Sequence, residues 1–131
     1  ELIYYKFAET LLVDGSEDEA IAMLNKSLQV NPGFEKALVL LGDLAKKKSE
    51  TEKAADFYAE AIKANRKYYA AYPKLAELFV ETDVLRARRI LKNCLKINAR
   101  YKPALMALAD TYRIADPQRA RHLDEMILKM K

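Results

Sequence analysis

The segment Val30-Asn31-Pro32-Gly33-Phe34 decides the fold, because its pattern returns twice further along the chain. The later copies are Ala64-Asn65-Arg66-Lys67-Tyr68 and Ile97-Asn98-Ala99-Arg100-Tyr101, which begin 34 and 33 residues after the copy before them. Each copy has an apolar residue, an asparagine, two variable residues and an aromatic residue, and an alanine follows three residues later. A constant period of this length is typical of helical solenoids, in which each unit buries its apolar face against its neighbours.

Two further sets of positions keep this period and indicate four repeats. Alanines recur at intervals of 34, 33 and 33 residues, and a leucine or isoleucine follows each of them by eight residues. The alanines are Ala20, Ala54, Ala87 and Ala120, and the residues that follow them are Leu28, Ile62, Leu95 and Leu128. We therefore predict a single domain, 1–131, with repeats at about 1–34, 35–68, 69–101 and 102–131.

Helix-start signals alternate along the chain with apolar residues spaced three and four apart. Ser16 and Ser49 each stand three residues before a glutamate, which is typical of a capping box. Asp116 precedes Pro117, so an N-cap acceptor is followed by a proline suited to the first helical position. The sequence predicts eight helices and no strand, with the helices at 2–13, 17–30, 35–47, 50–64, 69–81, 84–97, 102–114 and 117–130.

The second repeat has small and apolar residues at a defined set of positions in both of its helices. They are Leu38, Leu41, Gly42 and Ala45 in the first helix, and Ala54, Tyr58 and Ala61 in the second. This set resembles the tetratricopeptide repeat family, whose pattern is Trp-x2-Leu-Gly-x2-Tyr followed by Ala-x3-Phe, Ala and Pro. The chain has no tryptophan, and only Pro32 keeps the closing proline. The resemblance implies an all-α, right-handed α-solenoid of four helix-turn-helix units that holds a peptide in its concave groove.

An acidic row recurs in the first helix of every repeat, at positions that look into the groove in the family. The resemblance implies that the groove is lined by Tyr5, Glu9, Val39, Asp43, Pro73, Glu77, Met106 and Asp110. Four stacked acids would attract a ligand with lysine, arginine or an N-terminal amine. Alternatively, each acid pairs with the basic residue three positions away on its own helix, namely Lys6, Lys46, Lys74 and Arg113.

The two parts of the sequence differ in charge. Residues 1–83 contain 11 basic and 15 acidic residues, net −4, whereas residues 84–131 contain 12 basic and 4 acidic residues, net +8. A basic surface can bind an acidic protein, an anionic membrane or nucleic acid, or it can be a solvated face that aids solubility. Nucleic acid is the least favoured partner, because no aromatic stacking platform accompanies the arginines. The candidate basic-surface residues are Arg86, Arg88, Arg89, Lys92, Arg113, Arg119 and Arg121.

No catalytic or metal-binding pattern occurs in the sequence. HExxH, Walker and GxGxxG patterns are absent, and the single histidine, His122, has no cysteine at a metal-ligand spacing. We therefore expect no enzymatic activity, no cofactor and an exposed His122. Cys94 matches a small-residue position, so we expect a buried and unreactive thiol. One cysteine cannot form an internal disulfide, which is compatible with a reducing compartment and slightly favours the cytoplasm. No apolar run approaches the ~20 residues of a membrane span.

The predicted function is a protein–protein interaction module that binds a peptide or helix of a partner protein. One alternative is a structural or assembly segment of a longer repeat array or oligomer, without its own ligand. Another is a regulatory domain of an enzyme. Because Glu1 already lies inside a repeat, we expect the chain to be a piece of a longer protein.

The last helix supports the assembly alternative, because it is apolar on more than one side. Ile127 and Leu128 are expected to face the stack, by analogy with the second repeat, while part of the apolar set stays open. Self-association through this C-terminal helix would cover the open part. The apolar set is Leu123, Met126, Ile127, Leu128 and Met130.

Overall fold

The computed structural model describes residues 1–130, and every regular element in that range is an α-helix. The all-α helical-repeat class predicted from the sequence is confirmed. Lys131, the last residue of the predicted fourth repeat, lies outside the described residues. The helices are α1 (Leu2–Val13), α2 (Glu17–Val30), α3 (Glu35–Lys47), α4 (Thr51–Ala64), α5 (Ala71–Glu77), α6 (Val84–Ile97), α7 (Lys102–Tyr112) and α8 (Pro117–Leu128).

The chain contains two compact units, and the boundary between them coincides with a predicted repeat boundary. The first unit is 1–68 and contains α1 to α4, and the second begins at residue 69 and contains α5 to α8. Each unit therefore holds two of the four predicted repeats. Their union into one domain remains a prediction.

The recurring asparagine explains why the second helix of a repeat ends where it does. Asn31, Asn65 and Asn98 directly follow α2, α4 and α6, and all three have an extended backbone. Each side-chain oxygen accepts the backbone N–H two residues later, at 3.2, 3.1 and 3.3 Å. Each carbonyl accepts the N–H of the aromatic residue three positions later. The motif is therefore an asparagine-stabilised turn that ends one helix and sets the start of the next.

In the first unit, α1 packs on α2, α2 on α3 and α3 on α4. Small residues allow these close contacts: Ala20 and Ala54 are fully buried, as are Leu24 and Tyr58 one turn further along the same helices. Gly42 on α3 faces the Tyr58 ring, and a Cβ at residue 42 would lie only 2.5 Å from a ring carbon. The glycine is therefore required by the approach of α3 to α4.

In the second unit, α5 packs on α6 and α7, and α7 packs on α6 and α8. Ala87, Leu91 and Cys94 of α6 are fully buried, and Ala120 of α8 is 1% exposed. The predicted burial of the thiol is confirmed. Burial raises the pKa of Cys94 to about 11, so the thiol stays protonated at neutral pH and is a poor nucleophile.

The turns inside the repeats are of two kinds. After α1 and α3, Gly15 (φ 83°) and Ser49 (φ 61°) adopt the left-handed conformation. The next N–H then donates to the carbonyl five residues back, at 2.8 and 2.9 Å, as in a Schellman motif. In the third and fourth repeats no described residue has a positive φ, and the N–H groups of Asp83 and Asp116 donate to the carbonyl four residues back, both at 2.7 Å. This difference accompanies the shorter spacing of equivalent positions in the later repeats: Phe79 to Ala87 and Tyr112 to Ala120 span 8 residues, whereas Leu11 to Ala20 and Ala45 to Ala54 span 9.

The structure corrects several predicted helix ends. The largest difference is α5, which spans Ala71–Glu77 instead of 69–81. The N–H groups of Leu78 and Phe79 donate to carbonyls three residues back, so the chain tightens into turns before Asp83. In α7 and α8 the helix ends two residues earlier than predicted.

The predicted capping boxes are wrong, whereas the aspartate cap of α8 is confirmed. Ser49 has the left-handed conformation, and the N-cap of α4 is Glu50. Ser16 is the N-cap of α2, but its side chain makes no capping hydrogen bond. Asp116 caps α8 by accepting the N–H of Arg119 at 3.2 Å.

The expected burial of Leu128 is also wrong. Leu128 is 84% exposed because it is the last residue of α8 and no described helix follows it.

Replacing Asp83 by alanine is expected to lower the free energy of unfolding by about 1 kcal/mol, because it removes the N-cap of α6. The Asp83 side chain accepts the N–H of Arg86 at 3.2 Å. Denaturant titration followed by circular dichroism measures the loss. Ser16→Ala is the control and should cost less, because the Ser16 side chain makes no such bond. Equal losses in the two variants would contradict this account of the caps.

Candidate functional site

In the first unit, the acidic row consists of Glu9 on α1 and Asp43 on α3, and both acids contact side chains of the same unit. Glu9 forms an ion pair with Lys6 at 3.4 Å, as the local-pairing interpretation predicts. Asp43 accepts a hydrogen bond from the buried hydroxyl of Tyr58 at 2.6 Å. The carboxylate of Asp43 therefore joins the first-helix face to the core beneath it, while the side chain of Glu9 is 44% exposed.

Two tyrosines lie near these carboxylates: Tyr5 near both, and Tyr68 near Asp43. Burial raises the pKa of Tyr5, and the negative charges of Glu9 and Asp43 add to that effect. Burial also raises the pKa of Tyr68, with contributions from Glu35 and Asp43. The Tyr5 ring is held edge-on against Phe34, with centroids 5.7 Å apart. The predicted groove residue Val39 is only 7% exposed, so it offers a ligand little surface.

In the second unit, the predicted groove residues are more open. Pro73 is half-buried on α5, whereas Glu77, Met106 and Asp110 are exposed. Asp110 is bound by the guanidinium of Arg113 at 2.9 Å, again as the local-pairing interpretation predicts.

Arg113 bridges two carboxylates instead of standing free on a basic surface. It contacts Asp110 on α7 and Asp124 on α8, each at 2.9 Å. Hydrogen bonding to Arg113 lowers the pKa of Asp124, and Asp124 in turn raises the pKa of Arg113. The sequence contained a signal for this contact, because Asp124 occupies a position where the repeat pattern has an apolar residue.

The structure brings four of the seven candidate basic-surface residues together. Arg88, Arg89, Lys92 and Arg119 line one groove of the second unit. Lys96, which belongs to the same basic excess in the sequence, also lines it, as does Tyr112, which the sequence did not indicate. The other three lie outside this groove. Arg86 stacks over the Phe79 ring at 4.1 Å, Arg113 binds two aspartates, and Arg121 is exposed on α8.

No cluster of histidine, cysteine and acidic side chains in residues 1–130 has the arrangement needed to hold a metal ion. His122 is exposed on α8, as expected. Within the same range, no helix combines the length and the apolar character that crossing a membrane would require.

Comparison with known proteins identifies the repeat. The sequence profile of the tetratricopeptide repeat matches residues 35–68, which is the second predicted repeat. A comparison of the sequence with curated proteins gave no match.

Solved structures share the fold over nearly the whole chain. TTC0263, a thermophilic tetratricopeptide repeat protein of Thermus thermophilus, superposes with a TM-score of 0.77 at 19% identity, covering 99% of this chain and 74% of that one. MamA superposes with a TM-score of 0.74 at 20% identity, and the match covers 97% of this chain and 80% of MamA. An O-GlcNAc transferase of Thermobaculum terrenum gives 0.74 at 21% identity, but the match covers 92% of this chain and only 24% of that one.

At these identities the solved structures establish the fold alone. The sequence profile adds the family for the second repeat, and the eight helices follow the same repeat pattern on both sides of it. Residues 35–68 are therefore a tetratricopeptide repeat, and the chain as a whole has the helical-repeat fold of the tetratricopeptide repeat protein TTC0263.

Proposed function

We propose that the first-helix face of this protein binds a basic peptide or helix of a partner protein. The fold itself indicates a protein-interaction or scaffold role. The acidic row supplies Glu9 and Asp43 to this face in the first unit, with Tyr5 beside them, and Glu77 and Asp110 in the second unit, with Pro73 and Met106 beside them. The ligand would be a segment with lysine or arginine side chains that contact the acids, and apolar side chains that contact the others.

The exposure of the paired acids is the observation that supports this proposal. The side chain of Glu9 is 44% exposed and that of Asp110 is 71% exposed, although each is within ion-pair distance of a base on its own helix. Exposed ion pairs of this kind contribute only ~0.2–1 kcal/mol. A ligand cation can therefore replace the local base at little cost, so local pairing and ligand binding are compatible.

The second candidate function is assembly through the C-terminal helix. Met126 is 38% exposed and Leu128 is 84% exposed on α8, so part of the apolar set faces solvent. A second copy or a further repeat of a longer chain would cover these side chains.

The double variant Asp43→Asn, Glu77→Gln is expected to weaken binding of a lysine-rich peptide by about three- to tenfold, because two attractive charges are lost. The affinity should also become less sensitive to salt. Fluorescence anisotropy with a labelled peptide of alternating lysine and alanine, at low and physiological salt, measures both quantities.

The matched control is Asp56→Asn with Glu81→Gln, which removes the same charge from exposed positions outside the row. This control should keep most of the affinity. An equal loss in both variants would show that net charge alone attracts the peptide. Unchanged affinity in the row variant, together with self-association in sedimentation experiments, would instead favour assembly.

A further inference from the structure

A groove of about 390 Å³ lies in the second unit, on the side of the second helices. One wall is the exposed face of α6, and the other is formed by α8 and the end of α7. Five of the side chains that line the groove are basic, and within residues 1–130 none of its lining side chains is acidic. The basic residues are Arg88, Arg89, Lys92 and Lys96 of α6 and Arg119 of α8.

The repeat architecture alone does not require a basic lining in this groove, because the corresponding groove of the first unit has a different lining. A groove of about 250 Å³ occurs there in the equivalent place, between α2, α3 and α4, and it has a largely apolar lining with both signs of charge at its edge. Because Ala20 corresponds to Ala87, the positions of the four α6 cations are occupied in α2 by uncharged residues. These are Ile21, Ala22, Asn25 and Gln29.

The cations of the groove are held in place but are incompletely neutralised. Arg88 donates to the hydroxyl and the carbonyl of Thr111, at 3.1 and 2.7 Å, which fixes its guanidinium in the wall. Arg119 has one carboxylate nearby, Asp116, at 3.7 Å. Arg89, Lys92 and Lys96 form no ion pair within residues 1–130. Helix α6 contains five basic residues and no acidic one.

The pKa of Tyr112, which lines the groove, also reflects the positive charge of the groove. Burial alone would raise the pKa of its hydroxyl, yet hydrogen bonding and charge attraction from Arg119 and Lys92 bring the pKa below its ordinary value. The groove therefore stabilises negative charge on one of its own side chains.

We propose that this basic groove binds an acidic segment of a protein partner. Arg88, Lys92 and Lys96 are four residues apart along α6, so they rise by about 6 Å per step. An extended peptide places every second side chain about 7 Å apart on one face, and a helix places every fourth about 6 Å apart. A segment with two or three carboxylates at either spacing would meet the cations in register. This surface is separate from the first-helix face, so the two proposals stand independently.

The aromatic groups of the groove disfavour nucleic acid as its ligand. Base stacking needs an open ring face, but Tyr112 is 5% exposed and its ring is covered by the guanidinium groups of Arg88 and Arg119, at 4.1 and 5.0 Å. A membrane surface is disfavoured by shape, because the cations lie along a concave cleft instead of a projecting face.

The test measures binding of a labelled peptide of alternating aspartate and serine to the full chain by fluorescence anisotropy. The variant Lys92→Gln, Lys96→Gln is expected to weaken binding about fivefold or more. The control Arg100→Gln, Arg121→Gln removes the same charge from exposed positions outside the groove and should change the affinity by less than about twofold. Circular dichroism confirms that both variants are folded.

Three outcomes would overturn the proposal. The first is that the unmodified protein does not bind the peptide. The second is that the groove variant and the control weaken binding equally, which would mean that net charge alone is responsible. The third is tighter binding of a single-stranded oligonucleotide or of phosphatidylserine vesicles than of the peptide, with sensitivity to the same two lysines. Selective loss in the groove variant would support the proposal.

Discussion

Gly42→Val is expected to lower the free energy of unfolding by about 3 kcal/mol, because it overpacks the contact between α3 and α4. A Cβ at residue 42 would lie 2.5 and 2.7 Å from two carbons of the Tyr58 ring. The ring cannot move aside easily, since Tyr58 is fully buried and its hydroxyl bonds to Asp43 at 2.6 Å. Denaturant titration followed by circular dichroism measures the loss.

The other repeats suggest the control for this prediction. Where the second repeat has glycine and tyrosine, the first and third have alanine and leucine: Ala8 with Leu24, and Ala76 with Leu91, all at most 1% exposed. Gly42→Ala should therefore destabilise the native chain. In the Tyr58→Leu variant the same substitution should be neutral or stabilising, because alanine stabilises a helix by about 1 kcal/mol relative to glycine. The same effect of Gly42→Ala in both backgrounds would show that the Tyr58 ring does not exclude the methyl group.

The repeat period and the small-residue positions could be predicted from the sequence because local chemistry determines them. The turn at Asn31, Asn65 and Asn98 is made by each asparagine with its own neighbours, so its pattern is readable without tertiary structure. The four recurring alanines are buried because close helix packing admits only small side chains at those positions. Helix ends were harder to predict. Ser49 was expected to be the N-cap of α4, but it adopts the left-handed conformation that ends α3. The conformation of Ser49 therefore depends on how α3 ends and not on the Ser-x-x-Glu pattern alone.

The candidate site could be predicted only in part, because contacts between helices decide which charges remain available. The sequence predicts Arg113 on the basic surface, but Asp124 on the next helix neutralises its charge. Conversely, Lys96 and Tyr112 lie with Arg88 and Lys92 in one groove, although Tyr112 is far from α6 in the sequence. The periodicity predicted which helix face each residue occupies, but not which partner it meets there.

Leu91→Ala is expected to lower the free energy of unfolding by about 2–5 kcal/mol, through lost apolar burial and the cavity left behind. Leu91 is fully buried on α6 in the second unit. If the chain is a single domain, as its sequence predicts, the most protected amides of both units should lose protection together. Hydrogen exchange followed by mass spectrometry measures this separately for peptides from 1–68 and from 69–130. Leu85→Ala is the control, because Leu85 is 67% exposed on the same helix and its loss should cost less than about 0.5 kcal/mol.

The boundary between the units gives a physical reason to expect this coupling. At Asn65 the chain makes the same turn as at Asn31 and Asn98, which lie inside the first and the second unit. The asparagine turn is the same at all three boundaries, but α5 begins at Ala71, whereas α3 and α7 begin directly after Phe34 and Tyr101. We expect coupling because a repeat protein is stabilised by each interface between neighbours. Loss of protection confined to 69–130 would contradict the single domain and show two units that unfold independently. In that case the acidic row would be divided between two separately folding modules, and only Glu77 and Asp110 would share a module with the basic groove. A partner bound to the first unit would then not stabilise the second.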